Sequence, residues 1–73
     1  MGRLAQVIPK RMVRALVRLG WQVARQSGSH ALLISSSGDR VTVAMHSETL
    51  KLGTARAILK QAGLTEEEFF DAY

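Results

Sequence analysis

The 73-residue sequence contains no cysteine. That absence excludes thiol nucleophiles, Cys-ligated zinc, iron–sulfur clusters and any disulfide framework, and it is compatible with a reducing cytoplasm. Long apolar runs are missing too. The longest, residues 31–34, is four residues and falls far short of a signal-peptide core or a membrane-spanning helix, so the chain reads as cytoplasmic with no membrane partner. Aromatic side chains make up 5% and there are only two histidines, His30 and His46. Catalysis would have to rest on those two, a few Ser and Thr, six acids and ten bases. The length implies one compact domain, residues 1–73, that buries only about 60% of its unfolded surface.

Acidic residues are scarce through most of the chain. Residues 1–60 hold all ten Lys and Arg against Asp39 and Glu48 alone, ten against two, a balance of +8. Residues 61–73 hold Glu66, Glu67, Glu68 and Asp71 and no base, a balance of −4. A basic body of this kind suits a polyanion, most simply nucleic acid, with a salt-dependent baseline affinity. The plainer alternative is a solvated basic surface with no particular partner.

Pro9, the single proline, suits the first position of a helix, where its missing N–H costs nothing, and Gly20 marks the end of that helix. Between them Lys10, Arg11, Arg14 and Arg18 share one face, while Met12, Val13, Ala15, Leu16, Val17 and Leu19 fill the other. From Trp21 the period changes from 3.6 to 2. Trp21 and Val23 alternate with Gln22 and Ala24, then Gln26, Ser27, Gly28 and Ser29 supply turn chemistry. Residues 30–35 read as a second strand, with His30, Leu32 and Ile34 on one face and Ala31, Leu33 and Ser35 on the other. Residues 36–39 make a turn, and residues 40–45 read as a third strand rich in β-branched side chains. Short turns between consecutive strands imply an antiparallel meander.

A polar connector over residues 46–51 leads to a second helix. Gly53 and Thr54 stand where an N-cap belongs, Ala55, Ile58, Leu59 and Ala62 recur at helical spacing, and Gly63 suits the C′ position. Thr65 with Glu68 reads as a capping box opening a short terminal helix, which accounts for the acidic end through helix-start chemistry. The expected fold is α+β: a three-stranded antiparallel sheet with both main helices on one face and the other face uncovered.

His30 follows a tight Gly-containing turn, with Arg25 and Arg40 expected on the adjacent strands. Cations there would recruit phosphate to the side of a general base. A solvated turn histidine is the bland alternative. His46 ends the third strand and either bonds locally or helps to line the same site. Two His with Asp39 or Glu48 match no recognised metal-ligand spacing, so neither a metal nor another cofactor is expected. No Ser-His-acid triad is readable, although Ser27 and Ser29 stand near His30. If the chain is a nuclease, RNA is the economical substrate, because its 2′-OH is a built-in nucleophile that needs only a base and cationic charge stabilisation. DNA lacks that hydroxyl and usually requires a metal-activated water.

Several segments together carry a family resemblance: Leu19, Gly20 and Trp21; Arg25, Gln26, Ser27, Gly28, Ser29 and His30; Val41, Thr42, Val43, Ala44, Met45 and His46; Leu52, Gly53 and Thr54; and residues 58–64. From about Pro9 to Phe70 the chain resembles the HicA-type toxins of bacterial toxin–antitoxin modules, which are small ribosome-independent mRNA interferases of double-stranded-RNA-binding-domain-like (dsRBD-like) α-β-β-β-α fold. The resemblance implies that His30 is the catalytic histidine, that Gly28 and Ser29 hold the turn presenting it, and that the partners are an mRNA substrate and a HicB-type antitoxin covering the active-site face. Arg14, Arg18, Arg25 and Lys60 are the candidate phosphate contacts. The sequence departs from the family at Ala31, where many members carry a second His, and at Ala44, where Pro is common; the first departure leaves a single general base intact. The alternatives are a non-catalytic RNA-binding module of the same fold, recognising A-form shape through 2′-OH and phosphate contacts, and a protein-interaction subunit with incidental basicity.

Overall fold

The computed structural model describes residues 3–46 and 48–73. A 3-10 helix, Arg3–Gln6, leads into α1 (Pro9–Arg18), β1 (Gln22–Ser27), β2 (His30–Ile34), β3 (Arg40–Ala44), α2 (Leu52–Ala62) and α3 (Glu66–Ala72). The strands form an open antiparallel sheet in the order β1-β2-β3, so the expected α-β-β-β-α arrangement is present. Only the 3-10 helix had no counterpart in the sequence reading. Ser47, within the polar connector, lies outside the described residues, as do Met1 and Gly2.

Strand alternation decides which face the helices cover. Ala31 and Leu33 of β2 lie opposite Val43 and Val41 of β3, and all four are buried. They join Met12, Ala15 and Leu16 of α1, Ala55, Ile58 and Leu59 of α2, and Phe69 of α3 in one apolar cluster, with no polar residue buried among those described. Each fully buried Val, Leu or Phe side chain there contributes about 1.5–3 kcal/mol. His30, Leu32 and Ile34 take the opposite face by the same alternation, as the sequence implies. Val17 and Leu19, which share the apolar arc of α1, are left exposed because that arc is wider than the surface packed against it.

Both main helices end in the same way. At the end of α1, the Trp21 N–H donates to the Leu16 carbonyl at 2.9 Å and the Gly20 N–H to that of Val17 at 3.1 Å. This is a Schellman motif, and the φ of +102° at Gly20 is one that glycine adopts without strain. Leu64 and Gly63 repeat the two bonds onto Leu59 and Lys60. The start of α2 differs from the expectation. Its N-cap is Lys51, with no side-chain cap bond, and Gly53 and Thr54 fall inside the first turn. The reason is Leu50: it is buried and its N–H donates to the Val7 carbonyl at 2.9 Å, which fixes the chain where the helix must begin.

Strand limits shift for comparable reasons. Gln26 and Ser27, expected in the turn, extend β1, because a two-residue loop suffices to reverse the chain. β2 and β3 each end one residue earlier than expected, at Ile34 and Ala44.

α3 packs against α1 and is held from the N-terminal side of the chain. The Ile8 N–H donates to the Tyr73 hydroxyl at 3.0 Å. Arg18 donates to the Ala72 carbonyl at 2.8 Å, Arg11 to that of Tyr73 at 3.0 Å, and the Arg11 guanidinium lies 4.1 Å from the Tyr73 ring centroid. Arg3 sits in the same way over Phe70, at 4.2 Å. Cations at a helix C-terminus satisfy its last carbonyls and complement its dipole. Two of the four cations in the α1 stripe therefore help to hold α3 in place.

Candidate active site

β1 and β2 join through Gly28 and Ser29, with Ser27 and His30 as the closing pair. Gly28 has φ +57° and Ser29 a negative φ, the sign pattern of a type II′ hairpin turn. Among the described residues, a Cβ at Gly28 would meet nothing within 4 Å. Glycine is needed there for its backbone conformation.

His30 is the first residue of the central strand, exposed, on the sheet face away from the helices. Its neighbours across the strands are Ser27 on β1 and Ala44 on β3. Arg25 stands one diagonal step away, opposite Leu32. Its position depends on a bulge. The register shifts between Val23 and Arg25, leaving Ala24 as an extra residue. Strict alternation from Val23, which pairs with Leu33, would send Arg25 to the helix-covered face; the extra residue re-aims it onto the face of His30.

Arg40 does not join them. It pairs with Ile34, four residues along β2 and roughly 13 Å from His30 at about 3.3 Å per residue. Both arginines lie on the strands adjacent to β2, as expected, but only Arg25 stands beside His30. Arg14, Arg18 and Lys60 are exposed on α1 and α2, in the layer on the other side of the sheet. Asp39 serves the β2–β3 turn: its carboxylate accepts from the Ser37 hydroxyl at 3.2 Å and its N–H donates to that of Ser35 at 3.0 Å. Among the described residues, no three His, Asp or Glu side chains gather in one place, and no helix is long and apolar enough to cross a membrane.

The family model described as "HicA toxin of bacterial toxin-antitoxin" matches residues 9–64. The chain belongs to the HicA toxin family. A search of the curated proteins finds no match. In this HicA-family chain the matched span runs from the first residue of α1 to the residue that closes the motif after α2. It contains His30, the Gly28 and Ser29 turn, and all four candidate phosphate contacts. The 3-10 helix and α3 lie outside it, so the clasp onto α1 is built largely from residues beyond the family match.

Proposed function

We propose that this HicA-family protein is the toxin of a type II toxin–antitoxin module, an endoribonuclease that needs no metal, cuts mRNA with His30 as its acid/base group, and is neutralised by a HicB-type antitoxin. One observation carries the proposal: His30 is exposed on the open sheet face, presented by a tight turn and accompanied by Arg25. An imidazole there takes the proton of an RNA 2′-OH, whose oxygen attacks the adjacent phosphorus. The P–O5′ bond then breaks, leaving a 2′,3′-cyclic phosphate, and the departing 5′-oxygen takes up a proton to become a 5′-hydroxyl. Arg25 supplies positive charge to the phosphorane. Arg14 and Lys60 are phosphate contacts for an RNA strand that continues past the sheet edge onto the helical layer, whereas Arg18, the third helical cation suggested by the sequence, is engaged by the Ala72 carbonyl. Leu32 and Ile34, half-buried on the open face, offer apolar area for an antitoxin to cover.

The test is His30→Ala, assayed on labelled bacterial mRNA by denaturing gel. Cleavage should fall by about 10²–10⁴-fold, the usual contribution of a general acid/base, with the circular dichroism spectrum unchanged and growth inhibition lost. Full cleavage by that variant sinks the assignment. Activity should persist in EDTA, and loss on chelation would point to a metal mechanism. Salt-sensitive RNA retention with no product would instead mark a binding module.

A further inference from the structure

We infer that His46 is the general acid of the same reaction, giving a proton to the 5′-oxygen as it leaves while His30 takes the proton of the 2′-OH. The inference rests on the reading of His30 as the base and adds a division of labour to it. In an in-line displacement the attacking 2′-oxygen and the departing 5′-oxygen occupy opposite sides of phosphorus. A group within about 2.6–3.2 Å of the first is badly placed for the second. A second proton-carrying side chain is wanted on the same surface, displaced from His30 by roughly the width of a phosphate.

Strand register puts His46 there. Ala44 is directly opposite His30, and the ladder runs one step further, since the Met45 N–H donates to the Ser29 carbonyl. Met45 is half-buried against the core, and alternation continued past the end of β3 at Ala44 would turn His46, which is exposed, to the open face. A residue two places past a directly opposed partner is a diagonal neighbour, with Cα atoms about 7–8 Å apart and within reach of long side chains. Continued register would place Gly28 across from His46. Of the charged groups on this face, Arg25 lies beside His30 on β1 and Arg40 lies at the far end of β3. In the balanced step, the 2′-OH proton goes to His30, the O2′–P bond forms, the P–O5′ bond breaks, and the proton of the His46 imidazolium goes to O5′.

A leaving-group substitution isolates this role. A scissile bond is first mapped in a bacterial mRNA transcript. An oligonucleotide spanning it is then made in two forms, one all-oxygen and one with sulfur bridging at the 5′ position. An alkoxide needs a proton to depart, whereas a thiol of pKa near 8.5 leaves as the anion. His46→Ala and His46→Gln should cut the oxygen substrate about 10²–10⁴-fold more slowly than wild type and the sulfur substrate within a few-fold of it. His30→Ala should be slow on both. Equal losses on both substrates for the His46 variants would make His46 a positioning or structural residue and overturn the inference, as would wild-type rates on both. Wild-type rates for His30→Ala, or no cleavage by the wild-type protein, would instead overturn the underlying nuclease reading and the inference with it.

Discussion

The α1–α3 contact and the β1–β2 hairpin use the same side chain in different ways. On α1, Arg11 and Arg18 are tied to the final carbonyls of α3, and Arg11 also lies against an aromatic ring. On the hairpin, Arg25 is exposed on a strand whose every residue is exposed, and it reaches the open face through a bulge. Arginine in the first setting holds two elements together; in the second it stands beside His30 on a surface no element covers. A count of positive charge therefore overstates what is available to a polyanion, and placement decides which cations belong to the fold and which face a ligand.

The contrast breaks most decisively at Phe69, fully buried where α3 meets the core. Phe69→Ala should destabilise the protein by about 3–5 kcal/mol. That lowers Tm by roughly 12–40 °C at about 4–8 °C per kcal/mol for a chain of this size, as read by thermal circular dichroism. Cleavage per folded molecule should be unchanged below the melt. A variant with wild-type Tm but impaired cleavage would make α3 part of the active surface.

Arg25→Ala should do the reverse. Losing one charge-assisted phosphate contact is worth about 1.5 kcal/mol, or roughly tenfold in kcat/KM. The salt dependence of RNA binding should also lose about one unit of slope, with Tm unaltered. Arg18→Ala, by contrast, should cost about 0.3–1 kcal/mol of stability, the range for an exposed cation at a helix C-terminus. If Arg18→Ala lowered the salt slope and left Tm alone, the division between structural and ligand-facing arginines would fail.

The sequence made some of this legible and hid the rest for physical reasons. Helix ends were readable because Gly20 followed by Trp21, and Gly63 followed by Leu64, place a residue tolerant of positive φ before an apolar one that packs back. The grouping of His30 with Leu32 and Ile34 was readable from strand geometry, but which face the helices cover was not, because residues 31–34 are all apolar. Arg25 was harder. Trp21 and Val23 suggest uninterrupted alternation, and nothing in the residues around Ala24 announces the extra residue that re-aims Arg25. The clasp on α3 was equally hidden, because Arg11 and Arg18 look like a solvated stripe until a partner more than fifty residues away is known. The same holds for the start of α2, where Thr54 has cap chemistry but a long-range bond from Leu50 to Val7 sets the boundary.

The smallest expected effect is that of the Glu68 charge at the start of α3, where local chemistry alone sets the structure. The Glu68 carboxylate accepts from the Thr65 N–H at 2.9 Å and from the Thr65 hydroxyl at 3.1 Å, while the Glu68 N–H donates to that hydroxyl at 3.1 Å. The Thr65 N–H first, and the hydroxyl second, hold the Glu68 pKa below its ordinary value of 4.5. A lowered carboxylate pKa stabilises the folded state above the unfolded value, and that contribution disappears as pH falls through the folded value. Glu68→Gln keeps the geometry and removes the charge. It should melt slightly below wild type at pH 7, and the gap should close as the pH is taken downward from 4.5. Thr65→Ala removes the cap itself and should cost about 0.5–2 kcal/mol at pH 7, with cleavage per folded molecule unchanged. A gap between Glu68→Gln and wild type that stayed constant across that acid range would mean that the carboxylate contributes through packing, not through its charge.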